Sequence, residues 1–198
     1  MGSLEEISQS EELECYQQEF TQEVLEEVDL RQLEIAKSQF QGVSFINCQM
    51  EKLEVIDSTF TNCDFSNSDL SKSYFNRVSF VDCKFLGTKL HQANINHVSF
   101  KHTNLTLSMF EESHQSDVDY QDCQLRGADF YRQIFKKVTF KECDLEEAVF
   151  EETDLKGIDL SSCYFSQLIV DINRLKGCTI NHDQSSVFLS KLGLILKD

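Results

Sequence analysis

The chain has 198 residues, with 34 acidic against 18 basic side chains, a formal charge of −16, and neither proline nor tryptophan. That length suits one domain with at most a small appendage, and 40% apolar content with 16 phenylalanines excludes a disordered chain. No run of about 18 apolar residues could span a membrane, and the acidic excess argues against direct nucleic-acid contact, which calls for basic patches. In chain order, residues 1–17 are an acidic segment without the charged-then-apolar layout of a secretory leader. A cytoplasmic location is the expectation.

The next stretch, residues 18–182, repeats. Every fifth residue from Phe20 to Ile180 is apolar, 33 positions with Gln115 the one exception, and 15 of the 16 phenylalanines lie on this lattice, leaving out Phe188. Two residues before each lattice point runs a second column of small or apolar residues, such as Val78, Cys83, Ala93 and Val118. Gly42, Gly87, Gly127, Gly157 and Gly177 all fall two residues after a lattice point. A helix repeats near 3.6 residues and a strand near 2. A period of five fits a chain that turns a corner every five residues and sends two side chains inward per side, with glycine tolerated at the corners. Four sides make a 20-residue coil, so Phe20, Phe40, Phe60, Phe80, Phe100, Tyr120 and Phe140 should stack. About eight coils, at roughly 4.8 Å each, give a rod about 39 Å long.

Residues 183–198 break the lattice. Asp183 could cap a helix carrying Val187, Phe188, Leu189 and Leu192 on or beside one face, Gly193 would stop it, and Leu194, Ile195 and Leu196 read as a short strand. These seven apolar residues exceed what one coil end would bury, so a homodimer through them is expected. A two-fold contact there would join two rods end to end over roughly 80 Å.

Segments such as Ser68-Asp69-Leu70-Ser71-Lys72, Ala128-Asp129-Phe130-Tyr131-Arg132 and Thr153-Asp154-Leu155-Lys156-Gly157 resemble the A(D/N)LXX signature of pentapeptide repeat proteins, in one register across residues 18–182. The resemblance implies an all-β solenoid, a right-handed quadrilateral β-helix closed by a short C-terminal helix and strand. The acidic rod and the tail are similar to the Qnr and MfpA type, although no insertion interrupts the register as loops do in Qnr proteins of Gram-negative bacteria. That likeness implies a DNA mimic that binds DNA gyrase, or topoisomerase IV, and alters its DNA binding and quinolone susceptibility. The alternative is a scaffold for an unrelated protein partner.

Catalytic and metal chemistry find little support. Cys63, Cys83, Cys123, Cys143 and Cys163 share one side, with Thr103 on the missing rung, and a ladder spaced about 4.8 Å apart cannot converge four thiolates on one ion. Free, buried thiols are expected. No nucleophile elbow, phosphate loop or His-Glu metal helix accompanies the five histidines, so the chain reads as a non-enzyme without cofactor. Gln115 and Ser113 should both point inward, where an unsatisfied amide costs about 1–3 kcal/mol. A local bulge or a bond to neighbouring backbone would relieve it.

The repeat phase sorts the charge by side. The first side, centred on Phe20, Phe40 and Phe60, carries 6 acidic and 2 basic residues; the second, on Leu25 and Phe45, carries 7 and 2. The third, on Leu30 and Met50, carries 9 and 5, and the fourth, on Ile35 and Val55, carries 5 and 7. The densest block, Glu142, Asp144, Glu146, Glu147, Glu151, Glu152, Asp154 and Asp159, is the candidate partner-binding surface. About 39 Å of duplex carries about 23 charges, a density this rod approaches with −16.

Overall fold

The computed structural model describes residues 3–10 and 13–194. Its corners follow the repeat. From Gln17 to Glu152 the residue two places after each lattice point is left-handed, as in Lys72 (φ 61°), Leu107 (φ 57°) and Glu152 (φ 56°), with glycine at Gly42, Gly87 and Gly127. That conformation costs an L-residue about 1–2 kcal/mol, yet 25 non-glycine residues adopt it. A hydrogen bond to the next coil offsets the cost at most corners: the N–H of Lys72 donates to the His91 carbonyl at 2.7 Å, Gln92 to Glu111 at 2.9 Å and Glu112 to Tyr131 at 2.9 Å. None of these corner residues is Val, Ile or Thr, whose branched Cβ fits left-handed backbone worst. Gln92→Val is therefore expected to cost about 1–2 kcal/mol in urea denaturation, whereas Gln92→Asn should be close to neutral.

Between corners the sides are strands. Eight short ones, β1 (Glu14–Tyr16), β2 (Glu19–Thr21), β3 (Val24–Glu26), β4 (Glu34–Ala36), β5 (Gln39–Gln41), β6 (Ser44–Ile46), β7 (Glu54–Ile56) and β8 (Thr59–Thr61), precede four longer ones. The longer strands, β9 (Tyr74–Val81), β10 (Asn94–Lys101), β11 (His114–Gln121) and β12 (Ile134–Lys141), each run through a corner and cover two sides. Pairing is parallel with partners 20 residues apart, from Glu14↔Glu34 through Ile95↔Gln115 and Gln115↔Phe135 to Asp159↔Thr179. The chain is thus an all-β solenoid with the four-sided coil that the period of five requires.

The core is a set of vertical ladders. Phe20, Phe40, Phe60, Phe80, Phe100, Tyr120 and Phe140 stack with centroid spacings of 4.6–5.1 Å. Phe45–Phe65–Phe85 and Phe110–Phe130–Phe150 form shorter ladders, and edge-to-face contacts such as Phe130–Phe140 at 5.8 Å tie neighbouring columns together. Stacked and edge-on pairs each add about 0.5–1.5 kcal/mol beyond their buried area.

The second inward column has a chemical purpose beyond small size. Many of its hydroxyls and thiols donate to the carbonyl 23 residues earlier, in the coil below: Ser68 to Phe45 at 2.7 Å, Thr88 to Phe65 at 2.7 Å, Thr153 to Phe130 at 2.6 Å, and Cys123 to Phe100 at 3.3 Å. All eight cysteines are free, and only Cys178 is even half-exposed. Burial pushes the Cys15 thiol up to about 12 and Cys178 up to about 11. A raised pKa keeps a thiol protonated, and the thiolate is the reactive form. At pH 8 an alkylating reagent should therefore modify Cys178 slowly, and the other seven, which are buried out of its reach, only after unfolding, counted by mass spectrometry.

Both ends are plugged. Helix α1 (Leu4–Ser8) starts in a capping box between Ser3 and Glu6. Leu4, 1% exposed, covers the first coil, and its N–H donates to the Glu23 carboxylate at 2.8 Å. The coil register begins at Glu14, ahead of the expected start at residue 18, because Cys15 already occupies a lattice point with 0% exposure.

At the other end a 3₁₀ turn, Ile172–Leu175, leads to α2 (Ser185–Lys191). Asp183 does not cap α2. It is exposed, and the N–H of Gln184 goes instead to Asn181 Oδ1 at 3.0 Å. Gln184 is 5% exposed and donates to the carbonyls of Leu160 and Cys163 at 2.9 and 2.8 Å, satisfying the last open edge. Gly193 (φ 74°) ends α2, with the Leu194 N–H reaching back to the Leu189 carbonyl at 3.1 Å.

Candidate functional site

The lattice spacing decides how the acidic block is displayed. Residues five apart lie on adjacent sides, so residues 142–159 encircle one coil of the rod and do not form a strip along it. Glu142 sits at the corner of the first and second sides, Asp144 and Glu146 on the second, and Glu147 at its far corner. Glu151 and Glu152 belong to the third side, Asp154 to the fourth, and Asp159 to the first. Any groove that grips the rod from one direction meets only part of this ring.

Within the ring the carboxylates differ. The Ser166 N–H and hydroxyl both bind Glu146 and hold its carboxyl below the usual range. Arg132 does the same to Glu152 at 2.6 Å, and the Ser161 hydroxyl and N–H do so to Asp159. Asp144 lies 3.6 Å from Arg126. Glu146, Glu152 and Asp159 therefore stay ionised at neutral pH, so pairing subtracts positive partners from the surface without removing these acidic ones. Elsewhere the corner columns alternate in sign: Asp57–Arg77, His97–Asp117 and Asp117–Lys137 follow one another down one edge at 2.5, 3.4 and 3.6 Å.

Of the residues expected at a dimer contact, Phe188 turns inward, 8% exposed and 6.0 Å from the ring of Phe165. It caps the solenoid. Val187 and Leu189 are half-buried, whereas Leu192 and Leu194 are 56% and 55% exposed. Ile195 and Leu196 lie outside the described residues.

Gln115 neither bulges the coil nor bonds to backbone. It stays in register between Ile95 and Phe135 and joins a buried side-chain network. The Tyr120 hydroxyl donates to Gln115 Oε1 at 3.0 Å, while Gln115 Nε2 and the Ser113 hydroxyl donate to Gln133 Oε1 at 3.2 and 2.7 Å. Gln133 Nε2 in turn donates to the Phe110 carbonyl. A signal was present in the sequence: Tyr120 is the one tyrosine in an otherwise phenylalanine column, and a buried hydroxyl needs a partner.

A surface depression of about 860 Å³ lies toward the N-terminal end of the third side and mixes Arg31, Lys52 and Lys72 with Asp29, Glu51 and Asp69. Among the described residues no group of three or more His, Cys, Asp or Glu side chains is placed to hold a metal ion, and no helix is long and apolar enough to cross a membrane.

The description "Pentapeptide repeat region" matches residues 53–119 and 113–184, most of the chain. The chain belongs to the pentapeptide repeat family. Among solved structures, this pentapeptide repeat protein is similar to Rfr23 from the cyanobacterium Cyanothece 51142, with a TM-score of 0.53 and 11% identity over 56% of this chain and 89% of that one. It is also similar to QnrB1, a plasmid-mediated fluoroquinolone resistance protein, with a TM-score of 0.47 and 19% identity over 94% and 98%. HetL from Nostoc sp. strain PCC 7120, a pentapeptide repeat protein involved in heterocyst differentiation regulation, aligns with a TM-score of 0.36 and 14% identity over 91% and 98%. No curated protein sequence matches the chain. The family's coil explains the corners and ladders above, and its members serve broadly as structural or interaction modules.

Proposed function

We propose that this pentapeptide repeat rod is a DNA mimic that binds a type II topoisomerase, DNA gyrase or topoisomerase IV, in the cytoplasm and modulates its DNA binding and quinolone susceptibility. The charge of the rod carries the reading. Coils stack at 4.6–5.1 Å, and three of the four sides are acidic, so −16 is spread over a length on which duplex DNA carries about 23 charges. A groove built to hold DNA would accept such a rod by electrostatic complementarity, and the rod offers no bases to cleave. The exposed Leu192 and Leu194 are the proposed start of an end-to-end dimer contact, which would bring two acidic rings toward the centre of a longer rod. The test is gyrase supercoiling with and without a quinolone, in the presence of increasing amounts of the protein. A change in supercoiling or in drug sensitivity at micromolar protein supports the proposal. No change, with no binding to either enzyme, leaves a scaffold for another partner.

A further inference from the structure

The fourth side differs from the other three. Its outward charges are mainly acidic at the N-terminal end, Lys37 excepted, and mainly basic at the C-terminal end, Asp154 excepted. Glu14, Glu34 and Glu54 stack in register on β1, β4 and β7. Lys136, Lys156 and Lys176 occupy successive coils at the opposite end, with the stem of Lys156 lying over Gly177. Between them the side carries the polar Asn76, Asn94, Asn96 and Ser116, with Arg77 and Asp117 as its only charges, one of each sign at the corners. Stacking like charges directly opposite one another is unfavourable within one chain, and this chain does it twice on one flat face.

We propose that the fourth side is a self-complementary interface on which a second copy of this chain docks antiparallel, with the two-fold axis through the coil of Asn94, Asn96 and His97. Such an axis places each coil against the coil equally far on the other side of it. Glu14 then faces Arg174 of the second copy, Asp57 faces Lys137, Arg77 faces Asp117, and Lys72 faces Glu112. Each contact occurs twice by symmetry. The stems of Lys136, Lys156 and Lys176 lie across Ile56, Ala36 and Tyr16, and their ammonium groups reach the glutamate ladder diagonally, within the roughly 7–8 Å that long side chains span. Two like pairs, Glu34–Asp154 and Lys52–Arg132, oppose the contact. Asp154 is flanked by Lys156 and Arg174, and Arg132 is already held by Glu152.

The complementarity is specific to this register. Sliding by one coil puts Lys37 on Lys137 and Asp57 on Asp117, reversing the pairs that favour docking. A face about 39 Å long and four residues, about 13 Å, wide covers roughly 500 Å² per copy, or about 1,000 Å² in all, which is the lower limit for a specific interface. The dimer is therefore concentration-dependent and salt-sensitive. It hides the one net-positive side and leaves acidic sides outward. The inference is separate from the end-to-end contact and from the identity of any enzyme partner.

Sedimentation velocity over a concentration series at low salt reads the association. Arg174→Glu should weaken it about tenfold or more, because two unlike contacts become like ones, and adding Glu14→Arg to the same chain should restore it. Exposed Asn94, on the axis, gives the geometric readout: under mild oxidation Asn94→Cys should form a covalent dimer quickly. Glu54→Cys, about four coils from its own copy, should not. A monomer at every concentration overturns the proposal, as does equal crosslinking of the two cysteine variants. A dimer indifferent to Arg174→Glu but lost with Leu192→Asp overturns it as well, since self-association would then be end to end. Unchanged β-type circular dichroism shows that each variant is folded.

Discussion

Gln133→Leu is expected to destabilise the protein by about 3 kcal/mol or more, although it swaps a buried polar side chain for an apolar one of similar size. Gln133 is the hub of the internal network: its Oε1 accepts hydrogen bonds from Ser113 and Gln115, and its Nε2 donates to the Phe110 carbonyl. Removing it leaves the Ser113 hydroxyl and Gln115 Nε2 without their buried acceptor, at about 1–3 kcal/mol each, while the Phe110 carbonyl keeps only the Ser113 N–H at 2.9 Å. The neighbouring pair behaves differently. Tyr120→Phe and Gln115→Leu should each cost about 1–3 kcal/mol, because each leaves the other's oxygen buried without its partner. Together they turn the site into the phenylalanine and apolar lattice found in the other coils, and Gln133 keeps Ser113 and Phe110 as partners. The double variant should therefore lie close to wild type. Urea denaturation of the four proteins measures this cycle, and additive losses would mean that Tyr120 and Gln115 are not coupled.

That network marks the boundary of what the amino-acid order discloses. A period of five with glycine at one phase dictates the corner, the 20-residue coil and the stacking of Phe20 through Phe140, because each follows from spacing alone. The left-handed corners of Lys72 or Leu107 are harder to see, since these side chains do not themselves favour that backbone and only the glycines and the absence of β-branched residues at the same phase betray them. Partners 18 residues apart, such as Gln115 and Gln133, join the two different inward columns of one side on adjacent coils, which a search for one repeat phase does not compare. Reading along the chain also misleads at the acidic block. Glu142 to Asp159 is a cluster in sequence but a ring in space, because every five residues turn the chain onto a new side. Phe188 is a similar case: its apolar character is plain in the sequence, but whether it closes the solenoid or meets a partner depends on Phe165 beneath it.

The ring makes the mimicry divisible. Glu146→Gln and Glu147→Gln alter the second side and its far corner, whereas Glu151→Gln and Glu152→Gln alter the third; all four together change the net charge from −16 to −12. Because these side chains are exposed or half-exposed, each substitution should change stability by less than about 0.5 kcal/mol. Glu146→Gln keeps an oxygen to accept from Ser166. Against a basic groove that holds the rod as it would hold DNA, the fourfold variant should lose affinity on the order of 10-fold, at somewhat under 1 kcal/mol for each of the two charge contacts on the gripped side. The slope of log affinity against log salt should flatten in step, since fewer contacts remain to be screened. Changing Glu5, Glu19, Glu26 and Glu27 to glutamine removes the same charge at the far end of the rod and should matter much less. If the pair at 146 and 147 carries most of the loss, the second side lies in the groove; if the pair at 151 and 152 does, the third. Equal losses from the near and far sets would mean that bulk charge, and not a positioned surface, drives association. No loss from either set would remove DNA mimicry as the basis of binding.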